Sequence, residues 1–367
     1  MPDIASPTRV LVAGGGVAAL EAVLALRALG GDRLAVELLA PSTAFAHRPA
    51  SVRSPFSGEL APEISFDRAV AVHHRGALAE VDAERHTVST TDGGRLGYDR
   101  LIVATGARPV EAVRGATLFR GPISAGAVEG ALRHAHGRVV FTLGEDTEWT
   151  LAIYELALLA AHTLPEPPAL MIVTHERRPL ELFGSAASDA VARLLDRAGI
   201  EFRGETIPES VVDGALLTRG GGSIAADVVI ALPQLEPPAI AGLPAGFLEI
   251  DEHARVVGVR DVYAAGDVTA GAVKQGGLAT QQADAAAASI AAEAGADVEP
   301  RPYRPMLSGL LLTGEAPLYM RRDISPTSAL RTSPPSMSRS PLWSPSGKIV
   351  GRYMSGYLAT TAAARDR

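Results

Sequence analysis

Residues Arg9 to Ala13 (RVLVA) form a short β-type apolar run that ends on three consecutive glycines, Gly14-Gly15-Gly16. From Val17 to Leu29 the apolar positions recur at helical spacing, Gly30-Gly31 supplies a stop, and Leu34 to Leu39 (LAVELL) reads as the next strand. A helix between two strands is the crossover that parallel strands need, and a parallel sheet needs cover on both faces. This unit therefore commits the chain to an α/β architecture before anything else is known.

The alternation resumes at Gly137. Arg138 to Leu143 is predicted as a strand, Trp149 to Thr163 as a helix, Ala169 to Thr174 as a strand, Ser185 to Ala198 as a helix and Ile200 to Arg203 as a strand. Ala225 to Leu232 closes this second unit, and Pro233, Pro237, Pro238 and Pro244 mark a return connection. The expected fold is two Rossmann-like dinucleotide-binding domains, the second inserted in the first, plus a C-terminal segment. Residues 1–120 and 235–300 make the first domain, 121–234 the second and 301–367 the segment.

Composition narrows the chemistry. The 367 residues are 47% hydrophobic and 20% charged, as in a globular protein with a large core. Cysteine is absent, which excludes disulfides, thiolate metal sites, a cysteine nucleophile and a redox dithiol. Any redox chemistry must then be carried by a bound cofactor. The formal charge of −7 argues against a nucleic-acid partner, which needs clustered Lys and Arg. Of the 34 basic residues only Lys274 and Lys348 are lysine, so 32 are arginine. No basic start followed by an apolar run is visible from Met1 to Arg9, and a cytoplasmic location is expected. The longest apolar helical stretch, Leu151 to Leu164, carries Glu155 and falls short of the roughly 20 residues of a membrane span.

Gly14 to Ala19 fits G-x-G-x-x-G/A, with Gly14, Gly16 and Ala19 in the three places. The first glycine permits the tight turn, the second lets backbone approach a pyrophosphate, and the small third residue lets helix pack on strand. The helix N-terminus at Val17 and Ala18 then offers free N–H groups to phosphate. A carboxylate normally ends the next strand to hold a ribose, but here Ala40 ends it, with Glu37 mid-strand and Ser42 or Thr43 as weaker substitutes.

Two further segments complete a pattern. Tyr98 to Ala107 is a strand ending in Ala104-Thr105-Gly106. Val262 to Asp267 is a strand ending in Gly266-Asp267, ahead of a predicted helix over 277–292. Together with the N-terminal glycines these resemble the three FAD-binding motifs of the two-dinucleotide-binding-domain flavoproteins. That superfamily includes the pyridine nucleotide-disulfide oxidoreductases, type II NADH dehydrogenases and sulfide:quinone oxidoreductases. Arg304 to Gly314 and Leu342 to Tyr353 look like the C-terminal segments of proteins near the last two groups.

The resemblance implies FAD as cofactor and a C-terminal segment packed beside the flavin. It implies that Asp267 bonds the ribityl or pyrophosphate side, and that the helix after it points at the flavin pyrimidine edge. There the amides of Gly276, Gly277 and Leu278 would stabilise negative charge. Lys274 can add a full positive charge and is the candidate catalytic residue, its alternative being a surface lysine. Lys348 has the same two readings, a functional ammonium or a surface lysine, and the surface reading is the stronger. Arg48, in His47-Arg48-Pro49, lies where the family's chain approaches the flavin, as a positioning group or a structural arginine.

The second unit would normally take NAD(P)H. Glu155 and Ala157 match the end of the family pattern G-x-G-x-x-G-x-E-x-A, but its glycine places hold Glu148, Thr150 and Ile153. Gly144 is the one glycine of the turn, and Glu145, Asp146 and Glu148 would repel a diphosphate. Glu176, ending the next strand, remains a candidate for a ribose. Gly144, Glu155 and Glu176 are therefore the residues a nicotinamide cofactor would use, through an impaired turn.

The tail differs in charge. Ten basic and three acidic residues from Pro300 onward give +7, so the first 299 carry −14. Eight serines and five prolines among the 22 residues from Ser325 to Ser346 predict loop. Ile349, Val350, Tyr353, Met354, Tyr357 and Leu358 would share one helical face, a docking stripe or a membrane-surface contact. His73-His74 and His134-x-His136 lack a ligand-like carboxylate partner, so no metal site is expected. The function expected is an FAD-dependent oxidoreductase relaying electrons from a small-molecule donor to an acceptor, a quinone among the candidates, without cysteine. An NAD(P)H:quinone-type reductase is the first alternative. A flavin-binding or cofactor-free partner subunit without its own turnover is the second.

Overall fold

The computed structural model describes residues 6–59, 63–271, 273–324 and 336–365. Its first sheet is wholly parallel, with spatial order Val262–Ala264, Arg100–Val103, Thr8–Ala13, Leu34–Ala40 and Val72–Arg75. Successive residues of the Thr8–Ala13 strand enter different cores: Val10 and Val12 go to one face, Leu11 and Ala13 to the other. That is why the strand reads as a continuous apolar run rather than an alternating one. One face is covered by the helices Val17–Gly30 and Gly276–Glu293. Ala18, Ala22 and Ala25 on the first and Ala279, Ala283 and Ala286 on the second belong to the core these helices share. The other face carries an antiparallel sheet of Leu78–Asp82, Thr87–Thr90 and Arg95–Gly97.

The second sheet repeats the plan. Its parallel strands are ordered Thr117–Leu118, Val228–Ala231, Arg138–Thr142, Ala169–Val173 and Ile200–Arg203. Helices Leu151–Thr163 and Ser185–Arg197 bury one face. The antiparallel strands Pro208–Val212, Ala215–Thr218 and Gly222–Ala225 bury the other. The chain leaves the first half and returns to it through two short strands, Arg108–Val110 and Gln234–Glu236, paired antiparallel. The second half is thus inserted in the first.

The C-terminal segment touches both halves. Met306–Leu311, Leu318–Asp323 and Ser336–Ser338 form an antiparallel sheet, and Leu307, Leu310 and Leu311 enter the core of the second half. Ser336–Ser338 is a strand where loop was expected, because it pairs with the edge of Leu318–Asp323; residues 325–335 of that stretch lie outside the described residues. The expected stripe from Ile349 to Leu358 is not one helix. The helix is Met354–Arg365, and Ile349 sits ahead of it at 3% exposure with Met354 at 0%, both in the first core. Burying each stabilises the docked segment by about 1.5–3 kcal/mol. Tyr353, Tyr357 and Leu358 pack on the same core, so the stripe docks onto the protein's own body. Among the described residues no helix is long and apolar enough to cross a membrane.

Candidate functional site

The loops after three neighbouring strands of the first sheet, Thr8–Ala13, Arg100–Val103 and Val262–Ala264, converge at its C-terminal edge, where strand order switches. Gly14 has φ +141°, and a Cβ there would lie 2.0 Å from the Ala104 carbonyl oxygen. Only glycine lets the first loop lie against the second. Gly16 is exposed, with nothing within 4 Å of where its Cβ would be. The helix that follows has no side-chain cap, so the amides at Val17 and Ala18 face an open cradle. Gly106, at φ +75°, likewise has open space around it. Between these glycines the Thr105 hydroxyl is buried and lacks any hydrogen-bond partner. A buried orphan beside a cradle of free amides fits a bound dinucleotide such as FAD.

The third loop closes the group. Gly266, at φ +83°, approaches Ala18 and Ala279 so closely that a Cβ would lie 3.1 and 3.5 Å from their Cβ atoms. Its amide donates to Gln282 at 2.8 Å, a glutamine that sequence reasoning missed because nothing marks one polar residue within an alanine-rich helix. Asp267 accepts no hydrogen bond among the described residues. Burial pushes its carboxyl up, while the charges of Lys274 and Arg48 pull it down. The structure therefore brings Gly14, Gly16, Val17, Ala18, Arg48, Ala104, Thr105, Gly106, Gly266, Asp267 and Lys274 to one edge. Lys274 hydrogen-bonds the Thr269 carbonyl and lies over the Phe247 ring, 3.6 Å from its centroid. Burial lowers its ammonium to about 8, partly offset by Asp267.

The Gly276–Glu293 helix starts with a second missed glutamine. Gln275 caps it, accepting the Leu278 amide at 2.9 Å and donating to the Ser308 carbonyl at 3.1 Å. Leu278 is thereby engaged, leaving the amides of Gly276 and Gly277 for a ligand. Ile349 covers Gly276, 3.3 Å from where a Cβ would be. At the ribose position Ala40 ends the strand. Glu37 pairs with His74 at 2.6 Å, and Ser42 turns back on Ala44 at 2.9 Å.

The second half lacks an open cradle. Gly144 packs on Ala112, which would lie 2.8 Å from an added Cβ. Thr150, in the second glycine place, is 3% exposed and donates to Glu176 at 3.0 Å. Glu176 also accepts the Tyr154 hydroxyl at 2.6 Å and the Thr174 hydroxyl at 3.3 Å. Both of its oxygens are used inside the fold, and burial pushes its carboxyl up to about 7 against those hydrogen bonds. Glu145 pairs with Arg219 at 2.7 Å and Asp146 accepts from Gln234 at 2.9 Å, while Glu148 stays exposed. Thr147 adds a buried hydroxyl without a partner.

Glu155 points the other way, into the protein. It is 1% exposed, accepts the Leu312 amide at 2.9 Å and forms an ion pair with Lys348. Lys348 is thus buried rather than on the surface, with a side chain 11% exposed. Burial works against both charges and each charge holds the other, with Arg53 nearby. The charge of Lys348, after burial, also lowers His47, which places the pair close to the His47-Arg48 turn. Along the helix from Glu155 a cavity of about 270 Å³ opens, lined by Arg53, Phe56, Leu159, Leu312, Thr313 and Pro317 among others.

Glycine loops and helix N-termini gathered at the switch point of one parallel sheet, beside a second sheet of like design, define a dinucleotide-binding protein. The family model for pyridine nucleotide-disulphide oxidoreductases matches residues 8–288, and the chain belongs to that family. It is 29% identical over 290 residues to the ferredoxin--NAD(+) reductase component of the Burkholderia cepacia anthranilate 1,2-dioxygenase system, covering 71% of this chain and 67% of that one. It is 27% identical over 306 residues to an NADH dehydrogenase-like protein of Mycobacterium tuberculosis, covering 72% and 73%. The sulfide:quinone oxidoreductase of Aquifex aeolicus shares the fold, with a TM-score of 0.81 at 18% identity over 98% of this chain and 90% of that structure. The protein is an oxidoreductase of this family that contains no cysteine.

Proposed function

We propose that this protein binds FAD in its first half and relays electrons between a small-molecule donor and acceptor, and that its second half does not take NAD(P)H in the ordinary cradle. A bound flavin would supply the exchange of electrons that no side chain here can. Residues 1–120 and 235–300 are the proposed FAD-binding domain, 121–234 the degenerate nucleotide domain and 301–367 the segment beside the flavin. Gly14, Gly16, Val17, Ala18, Ala104, Thr105, Gly106, Gly266 and Asp267 hold the dinucleotide. Gly277 and its neighbour Gly276 offer amides to the ring edge, while Lys274 and Arg48 balance charge there. The observation that carries the reading is the pairing of an orphaned Thr105 hydroxyl with an open Gly16 cradle. The cavity at Arg53 has one apolar side, Phe56, Leu159, Leu312 and Pro317, and one polar side that includes Thr163 and Glu315, and the apolar side suits the ring of an acceptor such as a quinone.

A nicotinamide donor is the second reading, favoured by relatives named as ferredoxin--NAD(+) reductases. One experiment separates the two: anaerobic mixing of the purified protein with NADH, NADPH, sulfide and thiols while the visible flavin band is followed. Protein purified yellow, with reduction by a non-nicotinamide donor far faster than by NADH or NADPH, supports the proposal. Bleaching by NADH within seconds overturns its second clause, and a colourless protein that takes up no added FAD overturns the first.

A further inference from the structure

The Val17–Gly30 helix buries a carboxylate. Glu21 is 0% exposed, and its oxygens accept the amides of Tyr353 at 2.8 Å and Met354 at 2.6 Å. These amides open the Met354–Arg365 helix, where free N–H groups and the helix dipole favour an anion. Gly351 approaches so closely that a Cβ would lie 2.7 Å from Glu21 Oε2. On the facing helix Gly276–Glu293, Asp284 lies beside Glu21, and its Oδ1 is buried without a hydrogen-bond partner.

Two adjacent carboxyls, one with a buried oxygen that nothing else satisfies, repel when both are ionised and can join only through a proton, because ionised carboxylates only accept. Burial and the adjoining Glu21 charge push Asp284 up to about 8, and burial pushes Glu21 up as well, against the amides it accepts. Arg352 faces the pair from the C-terminal segment and favours its ionised form, and the Tyr353 hydroxyl is held up by burial beside it. Farther along the helix, Tyr357 meets the charges of Arg68 and Arg27.

The stretch this pair holds reaches both halves. Lys348 closes on Glu155, Ile349 covers Gly276, and the Val350 carbonyl accepts the Thr280 hydroxyl at 2.6 Å. We propose that Glu21 and Asp284 share one proton and form a latch that holds residues 348–354 against both halves, and that losing the proton weakens this hold. The proposal concerns the chain's own docking and stands whether or not FAD is the cofactor.

The sign follows from linkage. Undocked, both carboxyls meet water and ionise in the ordinary range; docked, the pair keeps a proton. The docked form binds the extra proton, so docking is strongest at low pH. It weakens by up to about tenfold per pH unit and levels off once the docked pair has ionised; with Asp284 at about 8, the levelling falls near there.

Trypsin cleavage after Arg352 reads the latch, because Glu21 holds the Tyr353 amide of that bond. The rate in the full chain is divided by that of a short peptide with the same Arg-Tyr bond in the same tube. We expect this ratio to rise at least tenfold from pH 6 to 8 and to flatten above. Asp284→Asn keeps a neutral partner and removes the proton exchange, so its ratio stays low and changes less than twofold. Glu21→Gln gives a flat profile at a higher level, and it carries the test alone if Asp284→Asn does not fold. Gly351→Ala raises the ratio at every pH with the wild-type slope. A wild-type ratio that does not change between pH 6 and 9, or a wild-type rise persisting in either carboxyl variant, overturns the proposal.

Discussion

The two glycine turns, Gly14–Gly16 and Gly144–Thr150, stand at equivalent places in two sheets of the same design and have opposite local chemistry. In the first, glycine is required because the chain folds against the Ala104 carbonyl, and Gly16 leaves open space above free amides. In the second, Gly144 is pressed against Ala112, with no room for a Cβ and no open space above it, and the space a pyrophosphate would enter holds Thr150, Tyr154 and Glu176 in one hydrogen-bonded cluster. Fold and site have separate causes. Apolar strands and packed helices keep the parallel sheet whatever the turn contains, while the turn residues alone decide what can bind.

That contrast can be attacked from both sides. The largest effect is expected from Glu155→Ala, which leaves Lys348 buried without its partner. Stability should fall by about 3–5 kcal/mol in a denaturant titration, and Glu155→Ala with Lys348→Met should recover most of it. A small loss in the single variant would mean that the C-terminal segment is not held there. Next comes Gly14→Ala, which forces an L-residue into a glycine-only conformation against backbone. We expect about 3 kcal/mol of destabilisation together with loss of flavin on gel filtration, whereas a variant that keeps its colour would deny the first turn its role.

Glu176→Gln tests the second turn. A carboxyl raised from 4.5 to about 7 stabilises the fold fully below its unfolded pKa, and that contribution is lost as pH rises through about 7. The variant should gain about 2–3 kcal/mol on wild type between pH 4.5 and 8 in thermal unfolding. If the two pH curves stay parallel, Glu176 is not the buried acid described here. The smallest effect belongs to Thr105→Val. Removing an orphaned hydroxyl should leave the apoprotein as stable as wild type, yet weaken FAD binding by about 1 kcal/mol, roughly fivefold by equilibrium dialysis. Equal binding would leave the orphan without a ligand.

Much of this was legible in the sequence. Strand and helix positions follow from side-chain periodicity, and the glycine motifs fall where a parallel sheet puts its loops. Distant pairings were not legible. Glu155 and Lys348 lie 193 residues apart, and only the docked C-terminal segment shows that one buries the other. Glu176 ends its strand as a ribose ligand would, but nothing in Thr174-His175-Glu176 reveals that its side chain turns inward to Tyr154. The stripe from Ile349 to Leu358 had the spacing of a helix, and the early residues docked as an irregular strap of bends and turns instead, because Gly276 leaves room for Ile349.

The antiparallel pair Arg108–Val110 and Gln234–Glu236 has one more consequence. Val110 stands directly opposite Gln234, so the chain enters and leaves everything between them through a two-stranded stem, while Val52 and Leu278 of the first half pack into its core. A chain cut at these two residues and rejoined by a two-residue turn would form an ordinary hairpin there. The first sheet would keep its strand order, and the C-terminal hairpin Met306–Asp323 would lose the apolar surface it leans on.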